Sequence, residues 1–302
     1  MIARFLQNNF IYALLISLLL GFLIPGLEKI PSQTLLFFLG GMIFVSSFQI
    51  TISEIRKINP VQVGGFYLGR YILLPFLLWF IAMQINVSLA IGVLLLSLVP
   101  AGVASPGVSN IYKGNISLSI LIVIASSLLA PFVIPVLLEL AISQQVELDT
   151  AGIFKTLLFT VFLPLLLHYP FRKFAKFKLW IRQNDSLFIV PFIGILIILV
   201  ISKQKGYIVE NLMTVGGYVL ATFIVFGVYY LFGWFASLKG IIMNKISYAL
   251  ASGVNNTALG IVLGFLYFPP EVSIFLVTSE LAWVFGMIIF KGYLNRYLKK
   301  TL

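Results

Sequence analysis

Leu98-Val99-Pro100-Ala101-Gly102-Val103-Ala104-Ser105-Pro106-Gly107-Val108-Ser109-Asn110 lies within an apolar run that covers residues 87–110. Each proline removes a backbone donor and clashes with the preceding turn, so a regular helix cannot pass through this stretch. In hydrocarbon the carbonyls set free need partners, and irregular backbone at that depth is tolerated only where it is buried or lines a cavity. A second stretch breaks the same rule: Ala251-Ser252-Gly253-Val254-Asn255-Asn256-Thr257-Ala258-Leu259-Gly260, inside the run 245–268. Paired asparagines in mid-span are costly unless they face protein or a watery cavity. Unwound carbonyls can hold a cation, and the N-termini of half-helices attract anions. The residues expected to make the crossover are Pro100, Pro106, Gly107 and Gly253. Proline kinks with asparagines bonding neighbouring helices are the purely structural alternative. Two such breaks at matching places in the chain favour a substrate site over that alternative.

The surrounding sequence fixes the setting. Of 302 residues 61% are hydrophobic and 10% charged, whereas soluble domains carry about 45–50% and about 25%. So little charge cannot cover a water-facing surface, and the bilayer must be the solvent for most of the chain. Ten apolar segments follow one another at roughly 10–27, 33–51, 62–84, 87–110, 116–142, 149–168, 186–203, 212–237, 245–268 and 271–294. The first is expected to be a retained span and not a cleaved leader. The expected fold class is an all-α polytopic membrane protein. Residues 1–142 and 143–302 would form five-helix repeats. An odd number of spans per half inverts the second half relative to the first, giving a 5+5 inverted repeat. The broken spans are the fourth and the ninth.

The absence of cysteine and the single histidine, His168, exclude disulfides, thiolate metal sites and histidine metal clusters. The net charge of +11 is carried between the spans, which points to loops facing anionic lipid and not to nucleic acid. Arg4, Arg56, Lys57, Lys113, Arg172, Lys173, Lys176, Lys178, Arg182, Lys239, Lys245 and the C-terminal Lys291, Arg296, Lys299 and Lys300 fall on one side. Lys29, Lys203 and Lys205 fall on the other. The positive-inside rule then places both termini in the cytoplasm, with a bacterial inner membrane as the expected location. The basic, aromatic stretch 169–185 is expected to lie on the membrane surface.

The fourth-span stretch and the Lys113-Gly114-Asn115-Ile116-Ser117-Leu118-Ser119 that follows it resemble the bile acid:sodium symporter family. That family carries a Pro-Gly-Gly-Thr-Ala-Ser-Asn crossover and then a basic-Gly-Asn-x-x-Leu-Ser element at the same spacing. Leu128-Leu129-Ala130-Pro131 and Pro135 are similar to it as well, and the ninth-span stretch resembles its Glu-x-Gly-x-Gln-Asn-Ser-Gly-Leu. Arg70, five residues before Pro75, stands where the family has Gln-x4-Pro. The resemblance implies a panel domain packed on a core domain in which the fourth and ninth helices cross. It also implies uptake of organic anions such as bile acids or carboxylates by alternating access. The expected substrate-binding set is Ser105, Val103, Asn255, Asn256, Thr257 and Glu280.

The family's sodium ligands carry over poorly. Its first site maps onto Ser105, Pro106, Ser119, Val123 and Ala251, and its second onto Arg70, Ala251, Ser252, Val254 and Asn255. Ser105, Ser119, Ser252 and Asn255 are thus vestigial sodium positions. The only anionic ligand is gone, and a guanidinium nearby repels a cation by about 4 kcal/mol at 4 Å and an effective dielectric of 20. Sodium coupling is therefore expected to be lost, with no other metal and no cofactor.

Arg70 sits about 12 Å into its span, where arginine costs about 2.5–3.5 kcal/mol and marks a functional candidate. Three roles compete: a fixed cation in place of sodium, a direct ligand of the substrate's anionic group, or a structural ion pair with a buried acid. That acid would be Glu280, in mid-span of the tenth segment. Unpaired, Glu280 could make the carrier proton-coupled. Glu139, Lys155 and His168 lie near span ends, and among Trp79, Trp180, Trp234 and Trp283 all but the last are candidate interface anchors. Gly65-x3-Gly69 is expected to allow close helix packing beside Arg70.

An enzyme is not expected, because a nucleophile with its base, or a set of metal ligands, is missing from the spans. The remaining classes are a carrier (uniporter, exchanger, proton-coupled or residual sodium symporter) and a channel, which single-channel currents would distinguish. The expected partners are a small organic anion and the lipid bilayer. Neither nucleic acid nor an obligate protein partner is expected.

Overall fold

The computed structural model describes residues 2–49, 60–171, 173–237 and 240–301. Arg56, Lys57, Arg172 and Lys239, which entered the orientation argument, lie outside the described residues, as does the end of the second apolar segment. Within them the chain is helical, and six helices are long and apolar enough to cross a membrane. With the family assignment given below, this makes the chain an integral membrane protein.

The helices are α1 (Ile2–Asn8), α2 (Phe10–Leu23), α3 (Thr34–Ser47), α4 (Pro60–Leu68), α5 (Leu74–Met83), α6 (Val87–Leu98), α7 (Ser105–Ile111) and α8 (Ile116–Ile142). They continue as α9 (Thr150–Phe171), α10 (Ala175–Asn184), α11 (Ser186–Glu210), α12 (Leu212–Phe235), α13 (Ile242–Gly253), α14 (Thr257–Tyr267) and α15 (Pro270–Thr301). A π-helical turn, Gly69–Leu73, joins α4 to α5. Two apolar segments run on beyond expectation: the seventh, as α11, reaches Glu210, and the tenth, as α15, reaches Thr301.

Asparagine sets several helix starts. The side chains of Asn86, Asn115 and Asn256 accept hydrogen bonds from the amides of Leu89, Leu118 and Leu259, capping α6, α8 and α14. Each satisfies an amide that the first turn would otherwise leave open, a contribution of about 1 kcal/mol per cap. Asn256 is therefore a helix cap as well as a residue of the break.

The two broken segments meet. Residues 99–104 separate α6 from α7, and residues 254–256 separate α13 from α14. Ala101 and Asn255 face each other in a one-step antiparallel bridge. Gly102 N donates to Val254 O at 2.6 Å, and Asn256 N donates to Pro100 O at 2.9 Å. Each break thus supplies the hydrogen-bond partners that the other lost, which is what irregular backbone in a dry interior needs. A Cβ on Gly102 would stand 2.9 Å from Asn255 O and 3.1 Å from Val254 O, so only glycine fits. Pro106 and Gly107, expected in the crossover, lie instead in the first turn of α7, where proline's missing N–H costs nothing.

Around the crossing, α13 packs on α7, α8 and α12, while α14 packs on α6 and α15. Most buried side chains belong to one apolar core, and a second, smaller cluster of Phe66, Tyr71, Ala101, Leu118, Val123, Tyr248 and Ala251 seals the crossover.

Candidate functional site: a guanidinium between two helix ends

Pro75 lacks the N–H that would bond the carbonyl of residue 71 and crowds that carbonyl. The backbone widens into the π turn just before it, with Leu74 N bonded to Gly69 O. Such turns add one residue and re-aim side chains, often at functional positions. Here the turn carries Arg70, which is fully buried at 0% exposure. Of the expected glycine pair only Gly69 makes a close contact: a Cβ there would meet the Phe232 ring at 2.7 Å, whereas Gly65 has open space.

The guanidinium is surrounded by acceptors. Nη1 donates to Ser97 O at 2.9 Å. Nε and Nη2 both donate to Ser252 O, at 3.2 and 3.0 Å, and Nη2 also donates to Asn255 Oδ1 at 3.0 Å. Ser97 and Ser252 are each the next-to-last residue of their half-helix, α6 and α13. Helix C-termini carry about −0.5 charge each, so the two ends together match one guanidinium. The Tyr229 ring lies 3.9 Å from the guanidinium carbon and the Tyr71 ring 4.9 Å from it. Electron-rich ring faces thus replace water beside the cation. Tyr229 is fixed in turn by a 2.5 Å hydrogen bond with Ser97 Oγ, and Asn255 by donating Nδ2 to Leu96 O at 3.1 Å.

The expected ion pair between Arg70 and Glu280 does not form. Arg70 is neutralised by the helix ends, and Glu280 finds other partners. Thr257 Oγ1 donates to Glu280 Oε1 at 2.5 Å, and Trp283 Nε1 donates to Oε2 at 2.7 Å. Direct binding of a substrate anion by Arg70 also finds no support in this geometry, because at least four of its five N–H groups are committed to protein.

The other expected residues divide by depth. Val103 and Pro106 line a shallow crevice with Gln49, Ile120 and Val123. Ser105, Asn255, Thr257 and Glu280 are buried, and Asn256 is half-buried. Three of the four vestigial positions are in use elsewhere: Ser119 Oγ is 2.6 Å from Ser109 Oγ, Ser252 contributes its carbonyl, and Asn255 Oδ1 accepts from Arg70. Ser105 Oγ and Ser252 Oγ are buried without a partner. Of the span-end residues, Lys155 is exposed, but His168 is buried, edge-on to the Phe48 ring at 4.3 Å. Trp234, expected at the lipid interface, is buried against Phe290, Tyr293 and Tyr297. Ser97 and Tyr229 were not legible as site residues, since a serine and a tyrosine inside apolar helices are commonplace.

The family and relatives that this chain's sequence matches make it a transporter and not an enzyme. The model of the sodium bile acid symporter family matches residues 34–211, and the chain belongs to that family. The match covers Arg70 and the first break and stops short of the second. Among curated relatives, the "Uncharacterized sodium-dependent transporter YocS" of Bacillus subtilis is 27% identical over 278 residues, 89% of this chain and 85% of its own length. The "Probable sodium/metabolite cotransporter BASS2, chloroplastic" of Oryza sativa subsp. japonica is 32% identical over 188 residues, 59% of this chain. The chain spans 43% of that rice protein's length. The "Probable sodium/metabolite cotransporter BASS1, chloroplastic" of Arabidopsis thaliana is 28% identical over 229 residues, 72% of this chain and 56% of its own.

Proposed function

We propose that this protein is a secondary carrier of small organic anions, bile-acid-like or carboxylate, in which the Arg70 guanidinium stands in for the coupling sodium. The carrying observation is that one buried side chain cation bridges the C-terminal carbonyls of both half-helices, Ser97 O and Ser252 O. A cation there holds the two broken helices together, as a bound ion would, but it cannot dissociate. The ten spans act as two inverted five-helix repeats, both termini cytoplasmic, moving by alternating access. Substrate approaches through the crevice beside Val103 and Pro106.

The names of the relatives speak of sodium, and the departure is local. Oxygen ligands are what a hard cation requires. At the mapped positions Pro106, Val123 and Ala251 offer no side-chain oxygen, and the carbonyl of Ser252 already accepts from Arg70. Sodium does not fit this donor set. The partnerless Ser105 hydroxyl favours the second reading, a residual sodium site.

Thermal unfolding of the purified protein in sodium against choline, at fixed pH and ionic strength, separates the two. A bound ion raises stability by RT ln(1 + [L]/Kd). No sodium-specific shift is expected. A saturable shift would overturn the loss of coupling and restore the sodium symporter.

A further inference from the structure

Among the described residues Glu280, in mid-helix of α15 and 2% exposed, is the one carboxylate set deep in the helical core, facing the start of the second half-helix of the ninth span through Thr257. Its two oxygens are treated differently. The indole N–H of Trp283 can only donate, so Oε2 must remain an acceptor in every protonation state. The Thr257 hydroxyl can donate or accept. With Glu280 ionised it donates to Oε1 across the 2.5 Å contact. With Glu280 protonated on Oε1, the same hydroxyl turns and accepts from it. Both states therefore keep two hydrogen bonds in one geometry, with no cation required for either.

Among the described residues no other charge fixes the state. The elements packed on α15 carry Tyr218, Tyr229 and Tyr230 (α12), Lys245 and Tyr248 (α13), Tyr267 (α14), Lys203, Lys205, Tyr207 and Glu210 (α11) and Tyr12 (α2). Tyr112 after α7 touches α15 through Met287 O, and α15 itself adds Glu271, Lys291, Tyr293, Arg296 and Tyr297. None of these shares a hydrogen bond, an ion pair or a charge interaction with Glu280. The carboxylate is also wired to the crossover: Thr257 opens α14, two residues after the Asn255 that holds Arg70.

We infer that Glu280 with Thr257 and Trp283 forms a proton-binding site whose occupancy is sensed by the second break, residues 254–256. Binding is the simple equilibrium in which a carboxylate and a proton give a carboxylic acid on Oε1. This deepens the carrier reading and rests on it only for the step in which the proton accompanies transport, making the proton the exchangeable ion where Arg70 is the fixed one.

Trp283 is a built-in reporter. With Trp79, Trp180 and Trp234 replaced by phenylalanine, its emission is titrated from pH 5 to 9 in reconstituted protein. A reversible one-proton sigmoid is expected, lost in Glu280→Gln. Glu280→Asp, which keeps a titratable group, should restore a sigmoid with a displaced midpoint if the Gln variant does not fold. Hydrogen exchange of the backbone at 254–258, corrected for the intrinsic pH dependence, should differ at least ~3-fold across the midpoint in wild type and not in Glu280→Gln. A flat titration in wild type, a sigmoid that persists in Glu280→Gln, or a crossover that exchanges alike in both states overturns the inference. None of these readouts needs transport, so a failed carrier reading would leave them intact and be recognised separately.

Discussion

Replacing Arg70 with alanine should both weaken the protein and create a sodium response that wild type lacks. The side chain supplies hydrogen bonds to three buried acceptors, Ser97 O, Ser252 O and Asn255 Oδ1. Each acceptor left dry costs about 1–3 kcal/mol. Water admitted into the space relieves part of this, so a loss of about 3 kcal/mol or more is expected in sodium-free buffer. The same change removes the repulsion that a sodium ion would feel in wild type. At 4 Å and an effective dielectric of 20 that repulsion is about 4 kcal/mol, roughly a thousandfold in affinity. The emptied pocket keeps two helix-end carbonyls and an amide oxygen, suitable ligands for a hard cation. Sodium at about fifteen times its Kd would then return about 1.6 kcal/mol. The assay is thermal unfolding of wild type, Arg70→Ala and Arg70→Lys over a sodium series balanced with choline. Arg70→Lys retains the charge and should show no sodium rescue, while losing the forked contacts that one ammonium cannot reproduce. A variant as stable as wild type, or an Arg70→Ala protein indifferent to sodium, would refute the argument that the guanidinium occupies an ion's place.

Two further predictions address the crossover and its support. Gly102→Ala should destabilise by about 2 kcal/mol, because both clashing atoms belong to the opposite backbone and the bridge must open; Gly107→Ala, which meets open space, should be neutral or slightly stabilising in the same unfolding assay. Tyr229→Phe should cost about 1 kcal/mol through the lost Ser97 hydroxyl partner, and Tyr229→Leu about 2 kcal/mol more as the face beneath the guanidinium disappears; equal losses in the two variants would show that the ring contributes nothing to holding Arg70.

What the sequence determined by itself was set by local rules. Low charge and long apolar runs demanded helices in lipid, since only helices satisfy their own backbone there. Prolines and glycines at 100–107 and asparagines at 255–256 marked where two helices had to break, and they break at residues 99–104 and 254–256. Arg70 announced itself by cost, because a charge inside a span is rare without a task. What only the tertiary structure decided was who answers whom. Sequence spacing offered Glu280 as the partner of Arg70 because opposite charges are the obvious pair. The fold instead brings the C-termini of α6 and α13 to the guanidinium, and helix-end carbonyls carry no label in a sequence. Ser97, Ser252 and Gly102 act through backbone position, and Tyr229 through its ring face, so their residue types alone gave little sign. With its charge partner removed, Glu280 is left to Trp283, one turn further along its own helix, and to Thr257, a partner that arises only where α14 and α15 pack together.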